Sequence, residues 1–119
     1  MNEATLNRAI EAVAKFERMA SKCDTVYSRK FDLLITMLER DMNDIYMDVR
    51  AAERVGYCTK DEYIGIYADL QNMRRVAIKK FRDAERERLG DREYIIRGDI
   101  YQFGYTREEA EKAYDEEWL

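Results

Sequence analysis

Histidine and proline are absent from this 119-residue chain, cysteine occurs only twice and glycine five times. Without proline, nothing in the sequence forces a break inside a helix. Without histidine, no Ser-His-Asp or Cys-His catalytic unit can be built within one protomer, nor the Glu-x-x-His ligand set of ferritin-like di-iron bundles. Two cysteines with no histidine fall short of the four ligands of a closed zinc site. The glycines stand alone, so there is no phosphate-cradling GxGxxG or GxxxxGK loop. No apolar run approaches the ~18–20 residues of a membrane span, and the opening MNEATLNRAIEAV lacks the basic-then-apolar layout of a secretory signal. The expectation is a cytoplasmic protein, not a membrane one, with no metal or cofactor, and catalysis is a minority reading.

Nearly half of the residues are Ala, Glu, Lys, Leu or Arg, the composition of long helices, and the length suits one core rather than two. Apolar spacing predicts five helices, at about 3–22, 25–55, 60–89, 92–103 and 107–118. The first carries Ala9, Val13, Phe16, Ala20 and Cys23 on one stripe. The second carries Tyr27, Phe31, Leu34, Leu38, Met42, Ile45, Val49 and Ala52. A further apolar set on that helix, Val26, Leu33, Met37, Met47, Ala51 and Val55, projects to roughly the opposite side at 100° per residue. One neighbour cannot cover both faces. The helix must lie in the middle of the bundle or offer one face to a partner.

Two boundaries are well signposted. Gly56 suits a left-handed position after the second helix, and Thr59 with Glu62 forms a capping box opening the third. The third helix has its stripe at Tyr63, Ile66, Leu70, Met73, Ala77, Phe81 and Ala84, and Gly90 ends it. Thr106 and Glu109 form a second capping box before a last helix whose narrow stripe is Ala110, Ala113, Tyr114 and Trp118. The junction of the first two helices is less marked. SKCDTVYS is rich in side chains that compete with helical backbone bonds, but the apolar phase runs on through Cys23, Tyr27 and Phe31, so one continuous helix of about 50 residues is the alternative to a corner. A helix from Asp24 to Val55 would also hold Cys23 and Cys58 nearly 50 Å apart, against the ~6 Å of a disulfide, leaving free thiols. The expected fold is all-α: an antiparallel helical bundle built on a long αα-hairpin, with short C-terminal helices packed against it.

Net charge is −4, but residues 73–98 sum to +4 and residues 99–119 to −5. Arg75, Lys79, Arg82 and Arg86 fall within an arc of about 60° on the third helix, away from its apolar stripe. They could track a phosphate backbone, although the same face carries no aromatic to stack a base and acidic residues, Glu85 among them, flank it. Asp41, Asp44 and Asp48 share one side of the second helix. Three carboxylates so spaced resemble the helix motifs with which all-α nucleotide pyrophosphohydrolases hold Mg²⁺ or Mn²⁺, but a second facing carboxylate pair is missing, and a solvated face, or ion pairs to a basic neighbour, is the favoured reading.

Nine tyrosines and six methionines are residue types that protein interfaces favour. Tyr46, Tyr57, Tyr67, Tyr101 and Tyr105 lie off the core stripes. Gly65 inside the third helix costs ~1 kcal/mol relative to Ala, which suggests close approach by a partner helix. The leading expectation is a non-enzymatic interaction protein, self-associating with a dimer favoured, that binds a protein partner through Met37, Met47, Ala51, Val55, Tyr57 and Tyr67. The alternatives are a nucleic-acid-binding helical subunit using Arg75, Lys79, Arg82 and Arg86, and a metal-dependent phosphohydrolase. At class level the chain resembles the small acidic proteins of phages and mobile elements, some of which inhibit host nucleases by binding them.

Overall fold

Between the first two helices, eight residues, 21–28, lie outside any helix. The computed structural model describes residues 1–118. Over them run α1 (Glu3–Ala20), α2 (Arg29–Arg54), α3 (Lys60–Leu89), α4 (Asp91–Phe103) and α5 (Arg107–Trp118). The first three form an antiparallel bundle, α4 packs on α3, and α5 packs on α4. The result is the expected all-α bundle, drawn out to 58 × 28 × 22 Å. At 1.5 Å per residue α2 and α3 each extend roughly 40 Å, so their hairpin sets the long axis.

The corner at 21–28 excludes the single long helix. Ser28 has extended backbone and its hydroxyl accepts from the Phe31 amide at 3.1 Å, capping α2. Thr25 Oγ1 accepts from the Tyr27 amide at 3.1 Å. These short side chains take over the bonds that helix continuation would have supplied. The second helix therefore begins at Arg29 rather than Thr25, and Val26 and Tyr27 belong to the corner, not to either face of α2.

Glu85 anchors this corner from α3. Its carboxylate accepts from the Thr25 hydroxyl at 2.8 Å and from the Val26 amide at 3.0 Å, with the Arg88 guanidinium 3.6 Å away. Among the described residues Glu85 is the one charged side chain that is buried, so it is a structural tie rather than a flanking charge. Ala84, expected on the inner stripe, is exposed instead.

The core follows the stripes. Phe31, Leu34, Leu38, Met42, Ile45 and Val49 of α2 are buried, with Ala9, Ala12, Phe16 and Ala20 of α1 and Leu70, Ala77 and Ile78 of α3. Alanines on α1 let the helix approach closely, and Phe16, Phe31 and Phe81 meet with ring centroids 5.7–6.3 Å apart. Such ring pairs contribute beyond their buried area.

Tyr27 then fastens α4. Its ring lies over Gly98, flanked by Tyr94 at 5.1 Å and Tyr101 at 6.1 Å between centroids. A Cβ on Gly98 would stand 2.7 Å from the Tyr27 hydroxyl oxygen, so the glycine permits a ring-on-backbone contact within a helix. Burial, with Tyr94 beside it, pushes the Tyr27 hydroxyl well above its ordinary range. Capping boxes open α3 at Thr59 and Glu62, and α5 at Thr106 and Glu109.

Removing the Glu85 carboxylate leaves the Val26 amide and the Thr25 hydroxyl without their partner in a buried setting, a loss of about 2 kcal/mol. Glu85→Ala is expected to lower the melting temperature by roughly 5–10 °C, measured by circular dichroism. A melting temperature within 1 °C of the parent, on the order of experimental scatter, would show that the corner does not depend on this tie.

Candidate functional site

The outward side of α2 is open. Leu33 is 60% exposed, Met47 51% and Val55 67%, and Ala51 is exposed with them. Among the described residues no other helix covers this side, because α1 and α3 both pack on the opposite, buried stripe. Val26, a member of the expected second face, is buried in the corner instead, and Met37 lies at the edge of that face, half-buried against α1 beside Phe16 and Met19.

The α2–α3 tip extends this open surface. Tyr57, just beyond Gly56, is 86% exposed. Ile64 and Tyr67 near the start of α3 are also exposed. Tyr67 is partly engaged: its ring lies 4.8 Å from that of Tyr46, which stacks in turn on Tyr63 at 5.4 Å. The Tyr46 and Tyr63 hydroxyls are hydrogen-bonded to each other. Tyr46 and Tyr67 also line a groove of about 510 Å³ between α2 and α3. Among the described residues a Cβ added to Gly65 would meet nothing within 4 Å, so the close contact suggested by that glycine is not made there. Among the other tyrosines off the core, Tyr101 donates to Asp32, and Tyr105 pairs with exposed Phe103.

The basic stripe of α3 faces a second concavity, of about 380 Å³, whose floor includes Ile78 and whose α4 wall is Tyr94. Arg75, Lys79, Arg82 and Arg86 all line it. Lys79 is paired with Asp83, and Arg86 with Asp91 at 2.7 Å while its guanidinium lies 5.8 Å over the Tyr94 ring. Among the described residues Arg75 and Arg82 make no salt bridge. The stripe therefore has an aromatic neighbour, supplied by another helix.

The acidic trio meets cations of α1. Asp48 is bridged by Arg8 at 2.6 Å and Asp41 by Lys15 at 3.6 Å, while Asp44 borders the same cleft. These are the ion pairs expected of a basic neighbour, and among the described residues no cluster of three or more acidic, cysteine or histidine side chains could hold a metal ion. Cys23 and Cys58 are free thiols. Among the described residues no helix is long and apolar enough to cross a membrane.

One ionic knot is only partly legible in the sequence: Glu93–Arg97 and Arg107–Glu111 are i,i+4 pairs, whereas the Arg107–Glu93 link between α5 and α4 has no local signal. Arg107 makes two bonds to the Glu93 carboxylate, at 2.6 and 2.7 Å, while Arg97 binds the same group at 2.8 Å and Glu111 binds Arg107 at 2.8 Å. This fixes α5 on α4 beside buried Ala110.

No protein-family model matches the chain, and comparisons with curated proteins and with solved structures found no match. The functional reading rests on the surfaces themselves.

Hydrogen bonds from Arg107 and Arg97 hold the Glu93 carboxyl down at about 2, against 4.5 ordinarily. A carboxylate lowered by folding stabilises the docked state fully above 4.5, and that contribution fades as pH falls toward 2. Amide exchange over residues 107–117 is expected to accelerate in this window, relative to α1–α3. Glu93→Gln should raise that exchange already at neutral pH and flatten its acid response; a parent-like profile in this variant would contradict the role given to Glu93.

Proposed function

We propose that this chain is a non-enzymatic protein-interaction module that seats the α2–α3 tip, with the adjoining outward side of α2, in an apolar groove of a protein partner. The observation that carries the reading is the contrast along one helix: α2 buries a complete stripe inside its own bundle and still leaves Met47, Ala51 and Val55 in water, next to Tyr57. Contiguous exposed apolar groups with a polar rim are what association surfaces present. Arg50, Arg54, Lys60, Asp61 and Glu62, all exposed, supply that rim. Tyr57 is the expected anchor, since a tyrosine ring brings large contact area with few rotatable bonds. The chain as a whole is acidic, the balance of an inhibitor of a nucleic-acid-handling protein, while the rim at the tip is of mixed sign, with Arg50, Arg54 and Lys60 beside Asp61 and Glu62.

Val55→Glu and Tyr57→Ser tests this directly, because neither side chain supports the core. Both variants should keep the parent's helicity and melting temperature within about 0.5 kcal/mol. Parent and variants would be used as parallel baits in native extract. A protein retained by the parent and by Lys79→Glu, but lost from both tip variants, is the expected result. Equal retention by all four baits would refute the tip as the docking surface.

The cleft between α3 and α4 favours a second reading, nucleic-acid binding. Arg75 and Arg82, unpaired and separated by two turns, flank a cavity that holds the Tyr94 ring, which combines charge with a stacking platform. Binding of a fluorescent single-stranded oligonucleotide should then fall steeply with salt, and Arg82→Glu should reduce the slope of log affinity against log salt by about 1. Affinity indifferent to salt and to Arg82→Glu would remove this reading.

A further inference from the structure

We propose that the outward side of α2 is a self-complementary seam on which a second copy of this chain docks antiparallel, α2 against α2. The inference rests on the reading of α2 as an interaction surface and assigns the stretch from Leu33 to Ala51 to a second copy, leaving the tip at Val55 and Tyr57 to the protein partner.

Leu33, Met37, Arg40, Asp44, Met47 and Ala51 are spaced 4, 3, 4, 3 and 4, the alternation of coiled-coil seam positions. They fall within about 80° of helix arc, and all but half-buried Met37 are exposed. The series is symmetric about Met42. Laid against its own copy in the opposite direction, it places Leu33 against Ala51, Met37 against Met47, and Arg40 against Asp44, each pair occurring twice. In coiled-coil terms every contact joins the two alternating seam positions, which is the layer arrangement of antiparallel helices.

Charge fixes the register. Sliding the copy by one heptad either way sets Arg40 against Ala51 or Met37, and Asp44 against Met47 or Leu33, so only the symmetric register pairs the ions. A parallel arrangement would oppose Arg40 to Arg40 and Asp44 to Asp44. The neighbouring ions are already satisfied within the chain: Glu39 binds Arg74 at 2.8 Å, Asp41 binds Lys15 and Asp48 binds Arg8. Among the described residues Arg40 and Asp44 make no salt bridge, although both sit between residues that do. Polar groups at seam positions cost affinity and specify orientation. A seam of six layers spans about 27 Å and lies near the lower limit of specific interfaces, roughly 1,000 Å², so dissociation in the micromolar range is expected.

Sedimentation equilibrium of the full chain from about 1 to about 200 μM, bracketing that range, tests the seam. The parent should pass from one chain mass to two. Arg40→Glu or Asp44→Arg alone replaces two attractive contacts by two repulsive ones and should weaken the dimer at least about tenfold. The double variant should restore it, and an equimolar mixture of the two single variants should form a mixed dimer. A parent that stays monomeric throughout overturns the seam, as do single variants that dimerise like the parent or a native-like double variant that fails to recover. Tyr57→Ser lies outside the seam, so a monomeric parent whose partner capture still depends on Tyr57 removes the seam and leaves the tip reading standing.

Discussion

The bonds from Thr25 and Val26 to the Glu85 carboxylate turn a potential rod into a bundle. The apolar phase would carry one helix straight through residues 21–28, and no glycine or proline lies there to stop it. What stops it is a set of competing hydrogen bonds: Ser28 on the Phe31 amide, Thr25 on the Tyr27 amide, and Glu85 on the Val26 amide. Burying a carboxylate is costly unless several donors reach it, and here an amide, a hydroxyl and a nearby guanidinium do so. Once the corner exists, α1 folds back on α2, Phe16 meets Phe31, and Tyr27 is presented to α4.

That fold-back decides which side of α2 is used. Both α1 and α3 lie against the stripe from Phe31 to Val49, while α4 packs on α3 and α5 on α4. Nothing in the connectivity brings chain over Leu33, Met47 or Val55. The open face is thus a consequence of topology. A fourth long helix would have been needed to close it, and residues 91–118 form a side layer instead.

Periodicity carried most of the architecture. The buried stripe of α2 matches the spacing of its apolar residues from Phe31 to Val49, and the capping chemistry at Thr59 and Thr106 marks helix starts correctly, since both are local features. What was not legible depends on contacts between residues far apart in the chain. Glu85 reads as one more surface acid until Thr25 arrives 60 positions away. Tyr94 stands beside the arginines of α3 only because α4 doubles back, so the stripe gained an aromatic neighbour that helix projection of α3 alone could not supply. The cations of α1 opposite Asp41 and Asp48 were likewise a matter of packing. Met37 shows the limit of face assignment by angle: it shares the open arc, yet a neighbouring helix half covers it.

The central claim is that α2 keeps one side dry and the other wet. Methionine oxidation reads both sides in one experiment, because Met42 is 2% exposed and Met47 51%. Under native conditions and at high dilution, brief peroxide treatment followed by peptide mass spectrometry should convert Met47 to the sulfoxide while Met42 stays reduced until the protein unfolds. Equal protection of the two methionines in the dilute folded chain would mean that its own segments cover the outer face, and the account would fail.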